Sequence, residues 1–165
     1  MSETACQVQI PHVDCVPKAA AGIFKSICGI DLEVVDSESV ATDGNILVAL
    51  ISLVGEVEWS VFLGLPAGTA EAVALKFAGF EIPFDSPDMG DAIGELANIF
   101  AGDIKTKLAK EGIKVEISLP NVLKADNLQM LVQNGSCTEK IGFNSELGMF
   151  WAGVVNGSAS ALQAL

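Results

Sequence analysis

"DMGDAIGELANIFAGDIKTKLAKEGIKVEISLP", residues 88–120, is the stretch from which the rest of the chain is read. Placed at roughly 100° per residue, Met89, Ile93, Leu96, Phe100, Ile104 and Leu108 fall on one stripe. A stripe of that width suits a helix lying on a sheet. The pattern predicts a helix from about Asp88 to Glu111, stopped by Gly112. A strand, "KVEIS", follows and ends at Leu119-Pro120, since proline donates no ladder hydrogen bond.

The opposite side of this helix is less ordinary. Asp91, Glu95, Asn98 and Gly102 lie within a sector of about 60° and form a line along the helix. Polar outer faces are common, but asparagine is a poor residue for a helix interior, and glycine costs about 1 kcal/mol relative to alanine. An exposed position offers no packing reason to accept either. Ile99, about 40° from Glu95, borders the line with an apolar group. A glycine on an exposed line lets another backbone approach closely. The line is therefore read as a docking face.

Outward from this helix, "PKAAAGIFKSICG" is a first helix with Pro17 in its first turn and Gly29 after its end. "DLEVVD" (31–36) and "NILVALISL" (45–53) read as strands. In "GEVEWSVFLGLP", Val57, Trp59, Val61 and Leu63 share one face at period two, which predicts a half-buried strand paired back through a turn at Val54-Gly55. "AEAVALKFAG" reads as a short helix, and "NLQMLVQNG" (127–135) and "LGMFWAGVVNG" (147–157) as strands. No linker is visible, so residues 1–165 are read as one domain with an irregular, polar lead-in at 1–16. A helix followed by three strands (17–64) has the same element order as 88–155. The fold class expected is α+β, a largely antiparallel sheet covered by helices, with a helix-plus-three-strands pseudo-repeat.

Half the residues are hydrophobic, enough for a buried core, and the formal net charge is −12 with a pI of about 4.2. An acidic surface repels phosphate backbones and anionic lipid, so neither nucleic acid nor a membrane is an expected partner. No apolar run reaches the roughly 18 residues of a membrane span, and the N-terminus has no basic start followed by an apolar stretch. A cytoplasmic protein is expected, with Cys6, Cys15, Cys28 and Cys137 as reduced thiols and the Asn-Gly-Ser sequences at Asn134 and Asn156 as turns.

His12 is the single histidine. With Cys6, Asp14 and Cys15 it could bind zinc, but the spacing matches no familiar knuckle, and no metal site is expected. A histidine-activated nucleophile is nearly excluded, because its base would have to be His12. "GLPAG" (64–68) could cradle an anion before a helix, but it lacks the Lys-Ser/Thr of a phosphate loop and reads as a turn and helix entry. Trp59 and Trp151 are read as core or dimer residues.

The triplet Asp91-x-x-x-Glu95-x-x-Asn98, with Pro120 22 positions after the asparagine, resembles the signature of the CheC/CheX/FliY family of response-regulator phosphatases. The flanking "AIGELANIFAGDIKTKLAKEGIKVEISLP" looks most like the CheX branch, and the similarity extends more weakly back to about residue 46. The resemblance implies a CheC-like or CheX-like fold and an enzyme, a hydrolase that removes the phosphoryl group from the aspartyl phosphate of a CheY-like receiver. It implies that the receiver supplies the phosphorylated Asp, a Mg²⁺ ion and a Lys, and that this chain binds no cofactor. By resemblance, Asn98 orients the attacking water and Glu95 pairs with the receiver's Lys. Asp91, Ile99 and Gly102 are then partner contacts, and Pro120 is architectural.

The chemistry agrees with that division. Phosphoryl transfer needs positioning and charge neutralisation, and what the receiver lacks is an in-line water held by a donor–acceptor side chain. An amide provides both functions without adding negative charge beside a phosphate. The first helix carries no such triplet, which leaves one site per chain, as in the CheX branch. The resemblance also implies a homodimer joined sheet edge to edge, with the strand-rich C-terminal region a candidate edge. The alternative is a non-catalytic module that binds a receiver or another signalling protein. Whether Asn98→Ala abolishes turnover while leaving binding measurable separates the two.

Overall fold

The computed structural model describes residues 10–129, 131 and 136–157. Helix α1 (Cys15–Ile23) continues as a π-helical turn, Phe24–Cys28, and ends on Gly29 at φ +70°. Strand β1 (Glu33–Val35) is followed by a short 3₁₀ turn, then by the hairpin β2 (Asn45–Gly55) and β3 (Trp59–Pro66). Helices α2 (Ala67–Ala78) and α3 (Pro87–Lys110) come next. Strands β4 (Val115–Ile117), β5 (Asn121–Asp126), β6 (Cys137–Ser145) and β7 (Gly148–Asn156) complete the order.

The strands form one antiparallel sheet in the order β1-β6-β7-β3-β2-β4, with β5 also on β2. This is the expected α+β class, and the pseudo-repeat is real. Exchanging α1, β1, β2 and β3 with α3, β4, β6 and β7 maps the sheet order onto itself. The central pair is β3 with β7, and each half lends its short first strand to the other half's hairpin.

Helices cover one face. Leu47, Ala49, Ile51 and Leu53 of β2, Trp59, Val61, Leu63 and Leu65 of β3, and Phe150, Ala152 and Val154 of β7 point into it at period two. They meet Val16, Ala19, Ala20 and Phe24 of the first helical segment and the whole predicted stripe of α3, Met89 through Leu108. Phe24 stacks on Phe150 with ring centroids 4.6 Å apart. Trp59 therefore belongs to the core. Trp151 lies on the other face, under the Lys140 ammonium at 4.4 Å from its ring, and flat enough on β3 that a Cβ on Gly64 would fall inside its indole. In "GLPAG", β3 runs to Pro66 and α2 opens at Ala67, so the segment is a strand-to-helix junction without an intervening turn. The chain between β1 and β2 crosses this outer face, passing so close to β6 that a Cβ on Gly142 would stand 2.9 Å from the Asp36 carbonyl.

Several expectations are corrected. Of the strand expected at 127–135, residues 127–129 and 131 are not in a strand and the rest lies outside the described residues. β5, which was not expected, pairs with Asn45–Leu50. Asn127, at φ +57°, ends it, and its side chain accepts the Gly44 N–H at 3.2 Å. Residues 130 and 132–135, with Asn134, lie outside the described residues, as do Cys6 and the lead-in before Ile10. β6 was not anticipated. Asn156 is the last residue of β7, paired with Trp59 and Cys137, and not a turn, because both neighbouring strands extend far enough to hold it. The β2–β3 connection falls after Gly55. Cys15 and Cys28 carry free thiols, but Cys137 is disulfide-bonded, so the expectation of reduced thiols throughout does not hold. A cysteine count cannot exclude a single crosslink between thiols that the fold brings together. Among the described residues no helix is long and apolar enough to cross a membrane.

Candidate active site

Helix α3 is defined at both ends by local chemistry. Ser86 accepts the Asp88 N–H at 3.2 Å as N-cap, and Pro87 occupies the first helical position. At the other end Ile113 N–H donates to the Leu108 carbonyl (2.9 Å) and Gly112 N–H, at φ +79°, to that of Ala109 (3.0 Å). These two bonds make a Schellman motif. Acids gather in the first turns and Lys107 and Lys110 in the last, each complementing the helix dipole.

The line read from the sequence faces an open groove. Asp91, Glu95 and Asn98 form one wall, with Gly90 beside them. The other side comes from the junction of β4 and β5: Leu119, Pro120 and Val122. Helix and junction come close at Gly94, where a Cβ would meet Val122 Cγ2 at 3.4 Å and Pro120 Cγ at 3.7 Å.

That junction is a β-bulge. Ile117 stands opposite Leu53 and Asn121 opposite Leu50. Residues 118–120 on one side therefore face residues 51–52 on the other, one residue in excess. Ser118 N–H donates to the Ser52 carbonyl (2.9 Å), and Ser118 Oγ accepts the Ser52 N–H (2.9 Å) in place of a backbone carbonyl. Pro120, with no N–H to satisfy, sits where the ladder is interrupted.

Among the described residues, no hydrogen bond or ion pair engages the side chains of Asp91, Glu95 or Asn98. Neighbouring acids differ: Asp103 pairs with Lys107 at 2.9 Å, and Asp85 with Lys124 at 3.4 Å. Glu95 and Asp91 are exposed and Asn98 half-buried. An acid and an amide one turn apart, with no partner among the described residues, can both address one incoming group.

Ile99 and Gly102 are half-buried on α3 outside the groove lining, and a Cβ on Gly102 would touch nothing within 4 Å. Sequence reasoning missed Gly94, the point on α3 where the junction packs closest, and Leu119, which joins the site only through the bulge. A glycine one turn after Gly90 inside a helix was the available signal for the first, and an apolar residue stranded between Ser118 and Pro120 for the second.

Elsewhere, His12 is exposed at φ +65° and lines a shallow depression with Asp14, Cys15, Lys18 and Lys107. Burial, reinforced by Asp14, pushes the Cys15 thiol up to about 11. No group of three or more His, Cys, Asp or Glu side chains that could hold a metal ion occurs among the described residues.

The family model described as "Chemotaxis phosphatase CheX" matches residues 47–144, more than half of the chain. The chain belongs to the chemotaxis phosphatase CheX family. No curated protein sequence matches it. Its fold is similar to that of the chemotaxis protein CheX from Vibrio vulnificus, with a TM-score of 0.78 at 18% identity, over 92% of this chain and 99% of that one. A CheX from Desulfovibrio desulfuricans gives a TM-score of 0.73 at 19% identity, over 90% and 100%. The matching chain of the CheX–CheY–BeF3–Mg²⁺ complex from Borrelia burgdorferi gives 0.67 at 21% identity, over 90% and 98%. At these identities the likeness is one of fold.

Proposed function

We propose that this chain hydrolyses the aspartyl phosphate of a CheY-like receiver, with Asn98 and Glu95 as the working pair. The observation that carries the reading is the groove: an acid, an amide and Pro120 meet on one open surface, and neither polar side chain is engaged by another of the described residues. Membership of a chemotaxis phosphatase family supports the reaction class, and a family relative seen with CheY and Mg²⁺ supports the partner.

In this reading α3 enters the receiver's phosphorylation site. The Asn98 amide accepts a hydrogen bond from water with its oxygen, holding it in line with the phosphorus, and its N–H can donate to a phosphoryl oxygen. An acid there would repel the phosphate. Glu95 pairs with the receiver's Lys, a charge-assisted contact that fixes the depth of insertion. Asp91, Ile99 and Gly102 contact the partner's surface. The Mg²⁺ comes with the receiver and neutralises phosphoryl charge. A homodimer joined edge to edge and a cytoplasmic location are part of the same reading.

The test is the dephosphorylation rate of a phosphorylated CheY-like receiver from the same organism with Mg²⁺, alone, with this protein, and with Asn98→Ala. The expected result is acceleration by the wild type and a loss of about a hundredfold in the variant, the scale of a mispositioned reactant. Receiver binding should persist. Binding of receivers by the wild type without turnover of any would replace the enzyme reading with the interaction-module reading.

A further inference from the structure

The groove has two unlike walls. Opposite the polar line stands Leu119, 85% exposed, as much as any large apolar side chain among the described residues. This exposure does not come from a slack loop. On one side Ser118 is bonded twice to Ser52, and its hydroxyl donates to the Leu119 carbonyl at 3.0 Å. On the other, Pro120 fixes φ and restricts the residue before it, and Asn121 resumes pairing opposite Leu50. The leucine is thus presented by a pinned backbone, with little main-chain freedom left to lose on contact. An apolar group pre-organised beside a polar recognition site has the character of a binding anchor.

We propose that Leu119 is a specificity-determining contact, seating against an apolar side chain of the phosphorylated receiver next to its phosphorylated carboxylate. This rests on the phosphatase reading above. A partner whose phosphate is reached by Glu95 and Asn98 must cover the opposite wall of the same groove. A receiver with an apolar residue there buries Leu119, whereas one with a charged residue there must desolvate it against the leucine, so the contact discriminates between receivers. Because Leu119 reaches the protein partner and not the reacting atoms, it acts on association.

The experiment measures kcat and KM for the phosphorylated receiver with the wild type, Leu119→Ser and, as a control, Leu123→Ser. Leu123 is 56% exposed but follows Val122 on the strand and so faces away from the groove. Neither substitution removes a buried side chain, so both variants should fold, which circular dichroism checks. The expected result for Leu119→Ser is a KM raised about tenfold with kcat within twofold, the scale of losing one buried leucine contact. Leu123→Ser should match the wild type. An unchanged KM in Leu119→Ser, a loss confined to kcat, or an equal KM rise in Leu123→Ser would each overturn the proposal. Failure of the phosphatase reading is told apart because the wild type itself would then show no turnover.

Discussion

Gly102→Ala separates what α3 needs as a helix from what its outer line needs as a contact surface. Gly102 lies inside a 24-residue helix, and a methyl there would meet nothing within 4 Å. Its carbonyl accepts the Thr106 hydroxyl at 3.0 Å, a bond the substitution leaves in place. Relief of the glycine penalty should therefore stabilise the fold by about 1 kcal/mol. For a chain of this size that is a rise in Tm of about 2–4 °C. With an m-value of about 2 kcal/mol/M, the urea midpoint should rise by about 0.5 M. Far-UV circular dichroism and the fluorescence of Trp59 and Trp151, both buried, report the transition. In the proposed reading the same methyl stands where the receiver's backbone would approach, so in the receiver assay KM should rise severalfold with kcat unchanged. A lower Tm would refute the stability argument, since the helix itself would then require the glycine. A higher Tm with an unchanged KM would remove Gly102 from the contact surface.

Gly64→Ala tests the opposite circumstance: its methyl would fall inside the Trp151 indole. Overpacking against a rigid ring should cost about 1–3 kcal/mol, read in the same melts, and a neutral result would contradict the seating of Trp151 on β3. Cys15, its thiol held at about 11 mainly by burial, keeps its proton in the folded state above the ordinary value of 9.0. The stability this contributes is present below about pH 9 and is lost as pH rises toward about 11. The urea midpoint should fall over that window more steeply in the wild type than in Cys15→Ala, and equal slopes would contradict the assignment. At pH 8 the native thiol should resist a disulfide reagent that labels it readily once the chain unfolds.

What the sequence made legible was periodic or capped. The stripe from Met89 to Leu108 and the stop at Gly112 are local, as is the alternation through Trp59, Val61 and Leu63, and each is found in the fold. β5 and β6 were not legible, for different reasons. β5 is an edge strand whose Lys124 and Asp126 meet solvent, so its apolar alternation is weak. β6 places Lys140 over the Trp151 ring on a covered face and Gly142 under a crossing segment, so its alternation is broken by residues that only tertiary neighbours explain. The candidate site divides the same way. Asp91, Glu95 and Asn98 share a face because of the helical repeat. Leu119 joins them only because one extra residue between β4 and β5 puts it opposite the helix, and no local pattern counts residues on a partner strand.

The internal symmetry explains why α1 does not repeat the site. Each long helical segment ends on a left-handed glycine, Gly29 or Gly112. Counted back from those glycines, Asn98 corresponds to Cys15 (112 − 98 = 14; 29 − 14 = 15) and Glu95 to His12 (112 − 95 = 17; 29 − 17 = 12). Cys15 is the first residue of α1 and is buried, and His12 precedes the helix altogether. The first half thus lacks the two to three extra N-terminal turns that carry the polar line of α3. It also lacks a counterpart of the second wall. After β4 the chain bulges and pairs again with β2, whereas after β1 it leaves the sheet edge and crosses the outer face over Gly142. The groove therefore depends on two departures from symmetry, a longer helix and a strand that resumes. Lengthening α1 alone would supply a polar line with nothing opposite it.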